Sequence, residues 1–547
     1  MKRIIAVLLA VLLALGVCGT LAEEKGIEIE GLDVEGVDLG NTVLEDIGLP
    51  EGGLDVAALP ALEAAQDNAA KDVKINKTNF PDAAFRQYVK DSFDKDGNGA
   101  LSSAEAKAVH EINIGTIGEE GTVPVNCKSV KGIEFFPNLE ALIILGGREK
   151  RLSFTSLDVS KNTNLTLLIV CFTKLNKLDV SKNTKLEEMN IGTNKVKTLT
   201  LGNKPRLEHL VCDNNLLTKL DVSKCPELDY LQCHDNKLTK LDVTKNTRLT
   251  NLQCQNNSLS KLDVSECPAL TCLNCETNKL TKLNLAKHAR LTELCCRENQ
   301  LAALDVSGCT ALHTLNCEKN KLTALDMTKN KKLQSLLCGT NKLTKLDMTK
   351  NTKLKELYSQ DNQLTALDVT KCANLESLHA EGNKLSKIDV SKCKKLTSLY
   401  LNDNKLSNLD VSKNTKLKAL VCEYNKLTKL DVTKNTSLVL LWCYDNALKA
   451  LDLSKNTKLA DLHCGKNKLK ALDVSKCKKL ETMYCEANAI TKIDIAKLPT
   501  YLRNLARKNE FEVGDSLMYI IPEEGKGICL DASVKVYDGN KVIHEPA

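Results

Sequence analysis

Six residues between positions 94 and 105 have the types and spacing of a calcium-binding loop. The sequence DKDGNGALSSAE carries acidic or amide side chains at its first, third and fifth positions, Gly99 at its sixth and a glutamate at its twelfth. Calcium takes about six to eight oxygen ligands, and a glycine permits the sharp turn that gathers them. The predicted ligands are Asp94, Asp96, Asn98, Ala100 through its carbonyl, Ser102 and Glu105.

The segments on either side of this loop, 82–93 and 103–112, carry apolar residues at helical spacing. The loop therefore resembles an EF-hand, and we expect two flanking helices. Only one such loop occurs in the sequence, which favours a structural ion over a regulatory pair. A solvated acidic turn that binds no ion is the alternative. The sequence predicts one Ca²⁺ site and no other cofactor.

A second group of candidate residues is aromatic. From residue 358 onward, an aromatic or imidazole side chain recurs at a fixed interval, with Val421 in the middle of the series. Contiguous exposed rings usually mark binding surfaces, although aromatic residues also suit exposed strand positions. The predicted ligand-binding residues are Tyr358, His379, Tyr400, Trp442, His463 and Tyr484, with Tyr424 and Tyr444 beside them.

A 21-residue repeat must position these rings. Leu-Asp-Val or a close variant recurs on a strict grid from Leu157 to Ile493, and the unit reads L-x-x-L-x-C-x-x-N-x-L-x-x-L-D-V-S-K-N-T-x. A fixed period of this length indicates a solenoid. The unit resembles the leucine-rich repeat, in its short bacterial IRREKO class. We therefore expect a leucine-rich repeat solenoid at 139–498, with parallel short strands, two per coil, and little helix.

Two polar positions of this unit are expected to lie inside the solenoid. Position 9, counted from the first leucine, is Asn in fifteen consecutive repeats from Asn194 to Asn488. A buried Asn needs hydrogen-bond partners, so we predict a structural Asn ladder. Position 6 is Cys in eleven units, where the parent repeat has Leu, and Cys also replaces the Asn of the K-N-T turn at position 19 in six.

These cysteines are interpreted as buried thiols and not as disulfides. In-register neighbours on parallel strands would hold their β-carbons about 4.8 Å apart, beyond the usual range of about 3.5–4.5 Å for a disulfide. A metal site is not favoured, because the C-x-x-C spacing of such sites is absent. We expect the thiols to act as small apolar side chains.

Both ends of the chain differ from the repeat. Residues 1–22 are typical of a secretory signal peptide, and a lipoprotein anchored at Cys18 is the alternative. Residues 23–75 are predicted to be an acidic linker, and residues 76–138 an EF-hand-like, helical N-terminal cap that resembles those of secreted bacterial leucine-rich repeat proteins. Residues 499–547 are predicted to form a small β C-terminal cap, with a hairpin at Asp538-Gly539.

Charge and motif content exclude several functions. The net charge of +6 is too balanced for a nucleic-acid-binding protein, and no nucleophile–base spacing or phosphate loop predicts an enzyme. We expect a monomer, secreted or held at the cell surface, with no transmembrane segment in the mature chain. The resemblance to internalin-like adhesins implies binding of an extracellular protein on a concave sheet, for adhesion or for recognition of a host or cell surface. Binding of a carbohydrate or cell-wall polymer through the aromatic stripe is the alternative.

Overall fold

The computed structural model describes residues 72–115, 123–124, 127–147, 151–508, 512–513, 517–523 and 526–544. The predicted signal peptide, the alternative lipid anchor at Cys18 and the acidic linker as far as residue 71 lie outside the described residues. The repeats predicted from the sequence, in contrast, are described almost completely.

One long, mostly parallel sheet passes through the successive coils of the solenoid. Each strand pairs in register with the equivalent strand of the next coil, as Leu315 does with Leu336. This arrangement confirms the predicted leucine-rich repeat fold. In sheet order the strands are Val123–Pro124, Glu111–Gly115, Ala141–Leu145, Leu167–Cys171, Glu188–Asn190, His209–Val211, Tyr230–Gln232, Asn251–Gln253, Cys272–Asn274, Glu293–Cys295, Thr314–Asn316, Ser335–Leu337, Glu356–Tyr358, Ser377–His379, Ser398–Tyr400, Ala419–Val421, Leu440–Trp442, Asp461–His463, Thr482–Tyr484, Lys526–Asp531, Leu517–Glu523 and Glu512–Val513.

The second strand expected in each coil forms in only some of the described coils. Two parallel pairs join Lys177–Asp179 to Thr198–Thr200 and Lys345–Asp347 to Ala366–Asp368. In most coils the aspartate of the Leu-Asp-Val segment accepts the backbone N–H of the residue two positions on, as Asp242 does from Thr244 at 3.0 Å. The same turn also occurs in coils that form a second strand, as at Asp179 and Asp347, so it ends the extended segment without deciding whether that segment pairs.

The interior of each coil is apolar and closely repeated. In the coil 312–332, the side chains of Leu312, Leu315, Cys317 and Leu322 are fully buried, and their equivalents in neighbouring coils continue the same core. One coil buries this face only against the next, so the core exists only as a stack.

The Asn at position 9 connects each coil to the one before it. The Nδ2 of Asn320 donates to the carbonyls of Cys317 and Glu318 in its own coil and of Cys296 in the preceding coil, at 2.9–3.1 Å. Its Oδ1 accepts the backbone N–H of Leu301, also in the preceding coil, at 3.0 Å. The predicted ladder is therefore present, and each amide group closes one turn while it joins two coils.

The residue just before this Asn has a left-handed backbone conformation. Every described non-glycine residue with positive φ occupies position 8, from Phe172 at 54° to Ala487 at 52°. This conformation costs an L-residue about 1–2 kcal/mol. From Thr193 onward, the conformation persists because the Asn side chain that follows holds the carbonyls on either side of the turn; Phe172 is followed by Thr173 instead. Gly382 is the one glycine at this position among the described residues, and it relieves the cost.

Position 19 forms a second polar column inside the K-N-T turns. The Nδ2 of Asn246 donates to the carbonyls of Val222 and Cys225 at 3.0 and 2.8 Å, while its Oδ1 is buried without a hydrogen-bond partner among the described residues. The carbonyls around position 19 thus need a hydrogen-bond donor at this position, and an acceptor there stays unused.

The residues that replace Asn at position 19 can act as donors, except Leu498 in the last unit. The Sγ of Cys267 lies 3.4 Å from the carbonyl of Val243, and the Nζ of Lys204 donates to the carbonyl of Val180 at 2.8 Å. His288 places Nε2 3.1 Å from the carbonyl of Val264. Burial lowers the pKa of Lys204 to about 8. Five of the six cysteines here are therefore hydrogen-bonding substitutes for Asn as well as apolar side chains.

None of the described cysteines forms a disulfide. The eleven thiols at position 6 are all buried, and burial raises the pKa of each, that of Cys443 to about 12. They pack as small apolar groups, as the sequence predicts. Their positions are Cys212, Cys233, Cys254, Cys275, Cys296, Cys317, Cys338, Cys422, Cys443, Cys464 and Cys485.

Small elements cover both ends of the described stack. The N-terminal helices span Ala83–Phe93 and Ser103–Lys107, with a short antiparallel pair of Val73–Lys74 and Ala100–Leu101 and a 3₁₀ turn at Ile133–Phe135. The second helix is shorter than expected, because residues 111–115 instead form a strand of the long sheet, with Ile112 and Ile114 buried on one side.

At the other end, Lys526–Asp531 extends the sheet beyond Thr482–Tyr484. The predicted hairpin pairs Lys535–Asp538 with Lys541–His544, and its first strand also pairs with Lys492–Asp494. A 3₁₀ turn at Ile495–Lys497 and a helix at Thr500–Lys508 precede these strands.

We predict that Asn320→Ala lowers the free energy of unfolding by about 2–4 kcal/mol, because it leaves a buried N–H and several carbonyls without partners. Urea unfolding followed by circular dichroism measures the change. The exposed neighbour Lys321→Ala is the control, with an expected change below about 0.5 kcal/mol. Equal effects of the two substitutions would contradict a structural role for the ladder.

Candidate binding face and calcium loop

Positions 3, 5 and 7 of each coil lie on the solvent side of the long sheet, and this side, together with the adjoining positions 2 and 8, is here called the binding face. Side chains alternate along a strand. In Glu356–Tyr358, Leu357 is therefore buried in the core while its two neighbours are partly exposed. The aromatic residues predicted at position 5 all lie on this face.

The six position-5 rings form two stacks. The first stack comprises Tyr358, His379 and Tyr400, with successive ring centroids 4.3 Å apart and interplanar angles of 14° and 11°. Trp442, His463 and Tyr484 form the second stack, with centroids 4.6 Å apart and angles of 5° and 21°. Both distances are close to the strand spacing of about 4.8 Å, so in-register pairing places each ring over the next.

The two stacks are separated by one coil. That coil has Val421 at position 5, which is 3% exposed. Beside the second stack, Tyr424 and Tyr444 meet edge to face with ring centroids 5.4 Å apart, and Tyr424 is 47% exposed. The structure thus brings all eight predicted residues to one face, as two stacks and one adjoining pair.

Carboxyl groups line the binding face beside the rings. Burial, followed by the charges of Asp403 and Asp461, raises the pKa of Glu423 to about 7. Burial also raises the pKa of Asp361 and of Glu486. Each of these three carboxyl groups is therefore partly removed from water, and other carboxylates lie near Glu423 and near Asp361.

Asp461 and His463 lie on one strand, and their side chains are 3.3 Å apart at Oδ1 and Nε2. Burial raises the pKa of Asp461 and lowers that of His463, while the attraction between the two charges opposes both shifts. The second stack is therefore in direct contact with a carboxyl group.

A further cluster of polar side chains on this face was not predicted from the sequence. The Nδ1 of His234 lies 2.6 Å from a carboxylate oxygen of Asp235, and Nε2 of His209 lies 3.2 Å from Asp229. Asp213 is only 3% exposed, and its Oδ1 has no hydrogen-bond partner among the described residues. These residues occupy positions 2, 3, 7 and 8, whereas the prediction followed position 5, so only a comparison of all solvent-facing positions could have found them.

The calcium loop lies between the two N-terminal helices. Ligand atoms of Asp94, Asp96 and Glu105 lie within 4.8 Å of one another. Gly97 and Gly99 have φ of 70° and 79°, which a residue with a side chain rarely adopts. Glu105 also closes a capping box with Ser102 at the start of the second helix.

Hydrogen bonds hold the remaining predicted ligands in the loop. Asp96 accepts the backbone N–H of Asn98 at 3.1 Å, and the Asn98 side chain accepts that of Ala100 at 2.8 Å. Hydrogen bonds, that from the Ser102 backbone above all, lower the pKa of Glu105.

One carboxylate oxygen in the loop lacks a partner within the part of the chain that the structure describes and could be satisfied by a bound cation. Asp94 is 9% exposed, and its Oδ1 is buried without a hydrogen-bond partner among the described residues, although its Oδ2 accepts the N–H of Gly99 at 3.0 Å. A buried carboxylate oxygen without a partner is costly unless a cation or donor compensates it. The donor set is all oxygen, which suits Ca²⁺.

Solved structures with similar folds were found for most of the chain. The functional domain of InlJ from Listeria monocytogenes, which includes a cysteine ladder, is 28% identical, with a TM-score of 0.56 over 85% of this chain and 98% of that one. This fold is a leucine-rich repeat solenoid. The leucine-rich repeat protein LIC12759 of Leptospira interrogans is 24% identical, with a TM-score of 0.52 over 61% and 93% of the two chains.

YopM from Yersinia enterocolitica is 24% identical, with a TM-score of 0.51 over 65% of this chain and 79% of that one. No protein-family model and no curated protein matches the sequence. The likeness to leucine-rich repeat proteins of the internalin type supports a scaffold for protein–protein interaction. Within the described residues, no helix is long and apolar enough to span a membrane.

We predict that Glu423→Gln stabilises the protein at pH 8 but hardly changes it at pH 5. A folded-state pKa of about 7, above the ordinary value of 4.5, means that stability from this group is lost as the pH rises through about 7. Because Glu423 is partly exposed, the gain at pH 8 should be about 1 kcal/mol. Thermal unfolding at both pH values measures it.

The exposed Glu376→Gln is the matched control, and it should leave stability within about 0.5 kcal/mol at either pH. A gain that is the same at pH 5 and pH 8 would show that the effect does not come from the charge of Glu423.

Proposed function

We propose that this chain is a secreted or cell-surface binding protein that recognises an extracellular protein through its binding face, in adhesion or in recognition of a host or cell surface. We also propose that it is a monomer without catalytic activity and that it carries one structural calcium ion. The repeat-built sheet, its likeness to InlJ and the basic-then-apolar start of the sequence support this proposal.

The two ring stacks carry the functional part of the proposal. Large aromatic side chains that remain partly exposed are enriched in protein interfaces, where they supply contact area with little loss of conformational entropy. Here the rings already stack on one another at 4.3–4.6 Å. Their conformations are therefore fixed before a partner arrives, which lowers the entropic cost of binding.

The same stacking argues against a sugar as the general ligand of the rings. A sugar ring binds an aromatic residue by lying over its face, but neighbouring rings cover both faces of His379 and of His463. These rings present edges to solvent. The carbohydrate or cell-wall polymer alternative is thus restricted to the open ends of the two stacks.

Binding measurements with wild type, Tyr358→Ala and Tyr484→Ala test this function against panels of extracellular proteins and of glycans. We expect a protein ligand whose affinity falls at least about tenfold in each variant, because hot-spot aromatic residues contribute about 2 kcal/mol or more. The exposed Val439→Thr, outside the stacks, is the control and should bind as wild type does. Unchanged affinity in both ring variants would exclude the stacks as the binding site.

The calcium proposal concerns the loop of Asp94, Asp96, Asn98, Ala100, Ser102 and Glu105. Bound Ca²⁺ would take the buried Oδ1 of Asp94 and the carboxylates of Asp96 and Glu105, and would thereby fix the turn between the two helices. An ion that binds only the folded loop stabilises it by mass action.

We predict that titration of the protein with Ca²⁺ in a calorimeter gives one site, and that Asp94→Ala abolishes it. Saturating Ca²⁺ should also raise the melting temperature of wild type but not of the variant. Lys95→Ala changes an exposed loop residue that is not a predicted ligand, so it should bind Ca²⁺ normally. If the wild-type protein shows neither binding heat nor a higher melting temperature with Ca²⁺, the loop is a solvated turn that binds no ion.

A further inference from the structure

The coil between the two ring stacks forms a slot on the binding face. Val421 pairs in register with Tyr400 on one side and with Trp442 on the other. At about 4.8 Å per coil, the two rings lie about 10 Å apart. Because a flat group packs about 3.5–4 Å from a ring, one such group fits between them after small rotations of the two side chains.

The residues at the bottom of this slot are small. Val421 is only 3% exposed, so the neighbouring side chains now cover it and must turn aside to admit a ligand, and Ala419 lies at position 3 of the same strand. Tyr400 is the last ring of the first stack, and Trp442 is the first ring of the second. Each therefore has one ring face without a stacked neighbour among the described residues. Both faces point towards the same one-coil gap.

The slot is bordered by negative charge. Glu423 stands at position 7 of the slot coil, and the nearby charges of Asp403 and Asp461 raise its pKa together with burial. No ion pair or side-chain hydrogen bond satisfies the Glu423 carboxylate among the described residues. On the same face, Oε2 of Glu381 and Oε2 of Glu486 are buried without hydrogen-bond partners in the described part of the chain.

We propose that this slot receives an arginine side chain of the protein partner, with the guanidinium group between Tyr400 and Trp442 and hydrogen-bonded to Glu423. The inference rests on the proposed function, because it names what the binding face recognises. Ring faces attract cations, and the carboxylates around the slot complement the charge.

Arginine fits the slot better than lysine does. Its guanidinium is planar, weakly hydrated and able to stack on rings while its N–H groups form a fork with a carboxylate. A lysine ammonium is compact and strongly hydrated, so it gains less from two flat walls. A neutral sugar could fill the same gap, but it would leave the charge of Glu423 uncompensated.

The fluorescence of Trp442, the one tryptophan of the chain, reports directly on the slot. We expect a saturable change on titration of the full chain with acetyl-Gly-Arg-Gly-amide at pH 8 and low salt. The lysine peptide should bind at least about threefold more weakly, and the citrulline peptide, which lacks the charge, should give no saturable change.

Two substitutions test the slot itself. Val421→Phe fills the gap, and it should fold because neighbouring coils carry rings at this position; it should abolish the response. Glu423→Gln should weaken binding of the arginine peptide at least about fivefold, while Glu376→Gln should bind as wild type does. Circular dichroism confirms that each variant is folded.

The proposal is overturned if the arginine peptide gives no saturable change, if citrulline matches arginine, or if Val421→Phe binds normally. A response to a neutral oligosaccharide but not to the arginine peptide would also overturn it, in favour of a carbohydrate site. If Tyr358→Ala abolishes capture of a protein ligand while Glu423→Gln and Val421→Phe do not, the proposed function stands and the slot assignment fails.

Discussion

The hydrogen bonds of the Asn column are the interaction on which the rest of the structure depends. Each of these side chains satisfies carbonyls in its own coil and both a carbonyl and an N–H in the preceding coil, as Asn320 does. They fix the register between coils to one period and hold the left-handed residue that precedes each Asn. With that register fixed, every side-chain type in the unit becomes a column, whether it lies in the core or on the binding face.

The repeat made most of the fold predictable, because its period, its leucine positions and its Asn position recur in unit after unit of the sequence. Three features were not predictable in the same way. The Leu-Asp-Val segment looked like a second strand, but it pairs as a strand in only some of the described coils. The segment after Lys107 had helical spacing, yet it pairs with the long sheet. The hydrogen-bond donor role of position 19 depends on side-chain contacts, since Lys204 and Cys267 both reach the carbonyl of the equivalent valine in the preceding coil.

For the candidate sites, the sequence predicted the residues but not all of their contacts. The loop from Asp94 to Glu105 follows a local motif, so its residues could be named from sequence spacing alone. The rings could also be assigned to one face, since in-register strands leave no other arrangement. The repeat pattern does not specify side-chain geometry, so it could not show that neighbouring rings stack. It also could not show that Val421 divides the rings into two stacks. The raised pKa of Glu423 likewise depends on burial and on carboxylates that belong to the coils on either side of its own.

Because each Asn bonds back to the equivalent turn of the preceding coil, a deletion or insertion between the strand and the Asn of one unit would break these bonds. A gain or loss of complete, exchangeable units would instead disturb only a single junction. Genetic duplication can therefore lengthen the binding face, or move the Val421 coil relative to the ring stacks, without any redesign of the core.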